Sequence, residues 1–373
     1  MTAARSGPAR ARRRDRRVYL RSHPLLFALL AATRGRAVRR IGRTVLVHDA
    51  DAYRKVLAGL PLDRTAGGTT GGAARSALRA AGHHDAGVLF DQEGAGHRAG
   101  RRALAQGLGA AGVEELRGLW RPLLAGRLEP LAQGGEVDLV TLARELSGTV
   151  VCALLGSQAS PVAVAAAAAD LAAASVRSEL PGLRRPGAHA ASARATRRLR
   201  QLLGDGDALS AMVAVAAVNT TVAALPRAVA WCADAGLWDQ AADERLRLPL
   251  VDELLRVTAP SPLLPRVAAA DGVVAGCPVR SGDRLVLVAR HAVDAHGSGP
   301  DAERPAAPDL ARLVFGAGPH TCPGARLARL QLADVLAALS PHRPVVVGAV
   351  VDRGAALPSW RKLVVRALVE VAR

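Results

Sequence analysis

The chain has 373 residues, half of them apolar, and carries 50 basic against 32 acidic side chains for a formal net charge of +18. That apolar content excludes a disordered chain and is enough for a sizeable core. Its four cysteines, Cys152, Cys232, Cys277 and Cys322, are far apart and form no Cys-x-x-Cys pair. This argues against a zinc site and a disulfide framework and fits a reducing cytoplasm.

Residues 1–44 hold thirteen arginines and one aspartate. Residues 1–17 read as a basic disordered tail, and 18–373 as a single domain. Clustered positive charge attracts phosphate, but aromatic side chains that stack on bases make up only 2% of the chain. A solvated tail or docking to an acidic protein fits better than nucleic acid. The run PLLFALLAA, Pro24 to Ala32, is too short to cross a bilayer and meets more arginine, so it reads as a buried helix rather than a secretory signal or anchor.

Further along, Thr44 to Val47 is a short β-branched strand, with helical spacing from Asp49. Pro61 to Gly87, rich in glycine, alanine and threonine, reads as a mobile loop. Helical patterns follow at about 95–108, 112–130, 136–156, 160–176, 188–203 and 207–235. Short strand-like runs come late, at Arg266 to Ala268, Leu285 to Val288, Val345 to Val351 and Leu363 to Leu368. The expected architecture is mainly α (α+β), a helix-rich body beside a small β region, with no internal repeat and no interdomain linker.

The chemistry concentrates in FGAGPHTCPG, Phe315 to Gly324. Glycine and proline fix the backbone there rather than fill a core. Cys322 stands just before PGARLARLQLADVLAAL, an apolar helix whose N-terminal amides and dipole favour thiolate over thiol. A thiolate so placed suits a soft metal such as haem iron, with Gly316, Gly318 and Gly324 allowing close backbone approach. Elsewhere Glu253 and Arg256 stand at i, i+3 on one helix face, and His97 and Arg101 share another at i, i+4.

FGAGPHTCPGARLA resembles, position for position, the cysteine-ligand loop of the cytochrome P450 haem-thiolate monooxygenases: the Phe, the glycines, the His two before the Cys and the Gly two after it. The resemblance implies the triangular-prism cytochrome P450 fold over about residues 18–373, with haem b between a long distal helix and the proximal Cys loop. It makes Cys322 the axial iron ligand and assigns His97, Arg101, Arg266 and His320 to the haem propionates. Phe315, Gly316, Gly324 and Ala217 would lie against the porphyrin. Glu253, Arg256 and, from DAERP, Arg304 would close a buried structural network. The stretch from Met212 to Trp231 is similar to the family's distal helix, with Ala216 to Thr220 at its oxygen-activating motif. Thr220 would hydrogen-bond dioxygen and Asn219 would stand beside it in the catalytic pair.

Three features depart from the family or modify it. Asn219 replaces the usual acid and Ala217 the usual glycine, and an amide cannot shuttle a proton as a carboxylate does. It can orient water. Pro226 adds an expected kink one to two turns later. Only about sixty residues separate Cys152–Gly156 from Asn219. One roof helix is therefore expected to be missing or reduced to a turn just before 203–207, leaving the pocket open or capped by a partner.

The function so implied is monooxygenation of a C–H or C=C bond in a small specialised-metabolite substrate, with dioxygen, by a cytoplasmic enzyme like those of the bacterial branch. Val213, Ala217, Leu263, Leu264, Leu357 and the loop 64–88 would line an aliphatic pocket, and the substrate could be carried by a carrier protein. No flavin, nicotinamide or iron–sulfur signature is present, so electrons are expected from a separate ferredoxin and ferredoxin reductase, an acidic ferredoxin docking near Arg326, Arg329 and the arginines around His97. Two alternatives stand: haem-thiolate chemistry without oxygen insertion (oxidative coupling, desaturation or rearrangement), which Asn219 favours, and a non-catalytic partner protein, against which the retained Cys322 speaks.

Overall fold

The structure, a computed structural model, describes residues 2–82, 94–179, 187–204 and 208–368. It begins with two helices, α1 (Thr2–Ser22) and α2 (Pro24–Thr33), where a tail and one helix are expected. Ala11, Asp15, Val18, Tyr19 and Ser22 recur at helical spacing and are all buried. Asp15 accepts from the buried Arg227 at 2.8 Å, and Arg227 also donates to the Tyr19 hydroxyl at 2.7 Å. The basic start is thus a docked helix, because one side of an arginine-rich sequence carries the apolar and acidic groups that bury it. α2 buries only Leu30, with Leu26 and Phe27 half-buried, and turns the rest of its surface outward.

Next comes a sheet edge of β1 (Val38–Ile41) and β2 (Thr44–Val47), joined through Gly42 at φ +58°. Then follows α3 (Ala50–Gly59), started by Asp49, whose carboxylate accepts from the amides of Asp51 and Ala52 at 2.9 Å each. The expected loop 61–87 contains a helix, α4 (Thr70–Ala80). Thr69 Oγ1 caps it by accepting from Gly72 N at 2.9 Å, and a Cβ at Gly72 would fall 2.1 Å from the Ala66 carbonyl. Glycine here permits close packing at a helix start, which composition reads as a loop signal. Residues 83–87 of that segment lie outside the described residues.

The helical body runs α5 (Gly94–Leu108), α6 (Ala110–Ala132), a short β3 (Glu136–Asp138), α7 (Leu139–Leu155), α8 (Pro161–Glu179), α9 (Ala188–Leu202) and α10 (Ala208–Ala235). α9 is fifteen residues long and reaches Leu202, filling the expected helical run at 188–203, and among the described residues no further helix stands between it and α10. Its face of Ser192, Ala193, Thr196 and Leu199 is buried beside α8 and α4, which stabilises it at full length. The link from α9 to α10 is short. α10 stays helical through Pro226. By length and apolarity it could cross a membrane, but half of its most apolar window is buried inside the protein, as in a core helix.

The remaining elements are α11 (Trp238–Ala242), α12 (Glu244–Thr258), β4 (Leu264–Val267), β5 (Gly272–Val274), β6 (Cys277–Val279), β7 (Arg284–Leu287), α13 (Ala289–Ala292), α14 (Pro308–Ala311), α15 (Ala325–Leu339), β8 (Val345–Asp352) and β9 (Ser359–Arg366). A four-stranded sheet has the order β1-β2-β7-β4, with β2 and β7 parallel and the other pairs antiparallel. Val45, Val47, Leu285 and Leu287 bury one face against Tyr53, Val56 and Leu57 of α3, while Leu46 faces Leu30 of α2. A second sheet runs β3-β9-β8, and β5 and β6 form a hairpin. The main core lies between α6, α7, α10, α12, α15 and β9, around Trp120, Leu146, Val229, Leu254, Leu336 and Trp360.

One buried polar cluster sets a pH response. His48 and His291 approach at 2.8 Å between their Nδ1 atoms, and the rings of His291 and His296 lie 4.8 Å apart. Burial, aided by the neighbouring arginines 290 and 34, pushes His291 and His296 down to about 3. Both are neutral when folded, whereas the unfolded chain takes up protons below its ordinary 6.5. Stability is therefore expected to be highest above about pH 6.5 and to fall on acidification, by up to about 1.4 kcal/mol per pH unit for each such histidine. Unfolding midpoints between pH 7.5 and 5 check this, and a flat or acid-stabilised profile would contradict it.

Candidate functional site

Gly316 and Gly318 take φ values of +81° and +70°, which a side chain resists, and a Cβ on Gly318 would come 3.3 Å from the Leu57 carbonyl of α3. The loop thus turns against α3 and closes on itself: Cys322 N–H donates to the Phe315 carbonyl at 2.8 Å. Cys322 stands three residues before α15 as an exposed residue. Desolvation pushes its thiol up, against the opposing pull of the Gly324 amide and the Arg101 cation. The expectation that the helix start alone favours thiolate is corrected in this respect. A bound iron would remove the proton outright.

Around the loop the structure gathers basic side chains. His97 of α5 stacks on His320 with ring centroids 4.0 Å apart, and Arg101, one turn further along α5, donates to the Thr321 carbonyl. Arg266 comes from β4, where it pairs with Leu285 in the ladder. Burial, with Arg64, His97, Arg266 and Arg101 adding to it, drives His320 down to about 3. Burial and Arg64 bring Arg266 down to about 10, partly opposed by Tyr53. Arg266 Nη1 donates to the Pro265 carbonyl at 2.8 Å, but among the described residues its buried Nε has no hydrogen-bond partner and neither Arg101 nor Arg266 forms an ion pair. An uncompensated buried guanidinium beside further cations is costly unless an anion completes it. A dicarboxylate does so, and the donor set fits haem propionates.

Arg64 was missed as a cation of this cluster by sequence reasoning, which placed it only at the edge of a pocket loop. PLDR offers no periodicity that points it at Arg266, so only the tertiary structure finds it. With an anion in place, Arg266→Leu is expected to weaken haem binding about tenfold to a hundredfold, the loss of one charge-assisted bond. The apoprotein is expected to be as stable or more so, because a buried like charge is gone. Haem transfer to a competing apo-globin and thermal unfolding of the apoprotein read the two signs, and equal haem retention would contradict the assignment.

On α10, Thr220 Oγ1 donates to the Ala216 carbonyl at 2.8 Å. Asn219 Nδ2 donates to the Val215 carbonyl at 2.8 Å and across to Ala168 of α8 at 3.3 Å. Asn219 therefore fastens α10 to α8, and with Leu357 it lines a cavity of about 230 Å³ that also meets Arg144, Asp170, Arg177 and Asp352. Val213 packs with Leu78, Leu104 and Met212, and Ala217 with the cluster of Val151, Val164 and Val218. Leu263 and Leu264 are not brought together with these. Leu263 packs with Leu30, Leu46 and Val288, and Leu264 with the opposite face of the sheet. Phe315 is half-buried against the main core.

Glu253 and Arg256 of α12 form the expected buried pair, at 2.7 and 2.9 Å. Arg304 does not join them. Its side chain is 88% exposed and bonds Asp301 at 3.2 Å. The Ala306 amide donates to Glu253 at 3.0 Å, while Arg256 donates to the Asp294 carbonyl at 2.8 Å and the Ser298 hydroxyl at 3.2 Å. The pair is thus completed by nearby loop groups, and Arg304 is held away from it by Asp301. Arg329, expected at a partner surface, instead grips Asp252 with two bonds, leaving Arg326 exposed. Asp334 of α15 accepts from Trp120 at 3.0 Å and from Arg117 at 2.7 Å twice, tying the helix behind the cysteine to α6. Sequence reading missed this anchor, since its partners are 214 and 217 positions away.

No family model matches the chain. A 100-residue segment is 39% identical to the erythromycin C-12 hydroxylase of Saccharopolyspora erythraea, covering 25% of this chain and 25% of that enzyme. Among solved structures, P450BioI in complex with hexadec-9Z-enoic acid ligated acyl carrier protein is similar with a TM-score of 0.73 at 16% identity, covering 93% of this chain and 99% of that one. The mycinamicin VIII C21 methyl hydroxylase of Micromonospora griseorubida bound to mycinamicin VIII gives 0.72 at 22%, covering 90% and 95%. The match to the curated hydroxylase spans about a quarter of its length. The structural likeness covers nearly the whole chain, and the fold is that of these proteins.

Proposed function

We propose that the chain belongs to the bacterial cytochrome P450 superfamily and is a cytoplasmic haem-thiolate monooxygenase acting on a specialised metabolite, with Cys322 as the residue that would hold the iron. The observation that carries this reading is the convergence on one side of the Cys322 loop of Arg64, Arg101, Arg266, His97 and His320, with the buried Arg266 Nε left without a hydrogen-bond partner among the described residues.

Haem held there would supply activation of dioxygen for transfer to a C–H or C=C bond. The chain's own residues do the rest. Cys322 provides the sulfur, and the Gly324 amide donates to it, stabilising the thiolate. Arg64, Arg101, Arg266, His97 and His320 hold the carboxylates at the rim. The Thr220 hydroxyl rests on the Ala216 carbonyl and would leave it to hold a water or a proton in the pocket. Asn219 positions α10 through its two donated bonds and supplies no titratable proton. Val213, Ala217 and neighbouring aliphatic groups exclude water around the substrate.

The erythromycin and mycinamicin hydroxylases among the similar proteins support this substrate class, and the complex with acyl carrier protein supports a carrier-bound acyl chain. Electrons would come from a ferredoxin and its reductase, with Arg326 the exposed contact near the loop. The test uses the holoprotein with ferredoxin, ferredoxin reductase, reduced nicotinamide and a panel of macrolactones and acyl carrier proteins under oxygen-18 gas. One labelled oxygen in the product supports the reading. Turnover without label favours the second reading, oxidative coupling or desaturation, which the amide at Asn219 supports. Thr220→Ala is expected to lower product formed per reduced nicotinamide several-fold, with hydrogen peroxide rising in its place, as a hydroxyl that delivers protons predicts. Unchanged coupling would assign Thr220 a packing role only.

A further inference from the structure

The two N-terminal helices carry a surface that the site does not use. On α1 the buried side is Ala11, Asp15, Val18, Tyr19 and Ser22, and the exposed side is Arg10, Arg13, Arg16, Arg17, Leu20 and Arg21. On α2, Leu26, Phe27 and Leu30 pack inward against Leu46, Val286 and Val288. Its outward face is Leu25, Ala28, Leu29 and Ala32, spaced i, i+3, i+4, i+7 and all exposed. Leu25 is 87% exposed, Leu29 47% and Leu20 38%, three of the largest apolar side chains left open among the described residues.

A solvent-facing apolar stripe at helical spacing needs a reason. Arginines bracket it: Arg16, Arg17 and Arg21 before, Arg34 and Arg36 after, all exposed. The face has no exposed acid of its own, because Asp15, the single acid among residues 1–44, is buried against Arg227. An exposed leucine and alanine stripe flanked by arginine matches an interfacial helix, whose apolar side enters the headgroup boundary while cations meet lipid phosphates. An acidic protein would satisfy the arginines but leave the stripe to find a complementary groove. The inner face of α2 is already fixed to the sheet, so the stripe is presented without unfolding anything.

We propose that α1 and α2 form a peripheral docking surface for anionic lipid bilayers, holding the enzyme against a membrane without spanning it. This goes beyond the reaction at Cys322 and departs from the expectation of no membrane partner.

The test is co-sedimentation of the full-length holoprotein with vesicles of phosphatidylcholine alone and of phosphatidylcholine containing phosphatidylglycerol. Binding is expected only to the anionic vesicles and should fall at least tenfold in 0.5 M salt. Leu25→Glu with Leu29→Glu should weaken it at least tenfold while leaving the thermal midpoint and the haem spectrum unchanged, since both side chains face solvent. Arg16→Gln with Arg17→Gln should weaken it about fivefold per arginine. The proposal is overturned if anionic vesicles fail to bind, if the leucine variant binds as well as the parent, or if an acidic protein such as a ferredoxin is captured through this face while vesicles are not.

Discussion

Glu253→Ala is expected to destabilise the protein by about 3–5 kcal/mol, the largest stability loss of any single change at the sites described. Its partner Arg256 is buried at the base of α12, and its remaining bonds go to loop carbonyls and the Ser298 hydroxyl, none of which neutralises a charge. Removing the carboxylate also orphans the Ala306 amide. Arg304→Ala is the informative control. The family resemblance puts Arg304 in this network, but the structure puts it in water on Asp301, so its removal should leave the denaturation midpoint unchanged. Urea titration of the two variants checks the contrast. Equal losses would restore Arg304 to the network and contradict the geometry.

Cys322→Ser is expected to abolish thiolate-type ligation entirely while leaving a fraction of the haem bound. The two halves of that expectation come from different groups. On the proposed reading iron ligation would rest on one sulfur at the mouth of the loop, whereas haem retention would rest on the basic side chains of α5, β4 and the loop, which the substitution leaves in place. The variant should therefore purify with some pigment, lack the red-shifted carbon monoxide band, and hydroxylate nothing above background. Complete loss of haem would mean that the sulfur and not the cationic cradle supplies most of the affinity. Retention of the shifted band would assign the thiolate to another cysteine. Cys232 is an unsuitable substitute, being fully buried with its thiol pushed far up by desolvation.

What sequence alone could read here is set by distance along the chain. The Cys322 loop is legible because its determinants are local: glycines at positive φ, a short backbone bond from Cys322 to Phe315, and the helix that follows. The Glu253–Arg256 pair is legible for the same reason, at i, i+3. Arg304 was misplaced because its competitor Asp301 is just as local, while the other groups that bond Glu253 and Arg256 come from a loop more than thirty residues on. α1 was read as a tail because its arginines hide a buried face whose main partner, Arg227, lies 212 positions away. α4 was read as a loop because Gly72 serves close packing against Ala66 rather than a turn. The His48, His291 and His296 cluster and the Asp334 anchor join separate elements and left no pattern to find.

The central claim is that the Cys322 sulfur is a thiolate on haem iron. The most direct measurement is the absorption spectrum of the dithionite-reduced, carbon monoxide-bound protein, reconstituted with haem. A main band shifted strongly to the red of that given by imidazole-ligated haem is the predicted result. A band at the imidazole position, or no haem uptake at all, would contradict it.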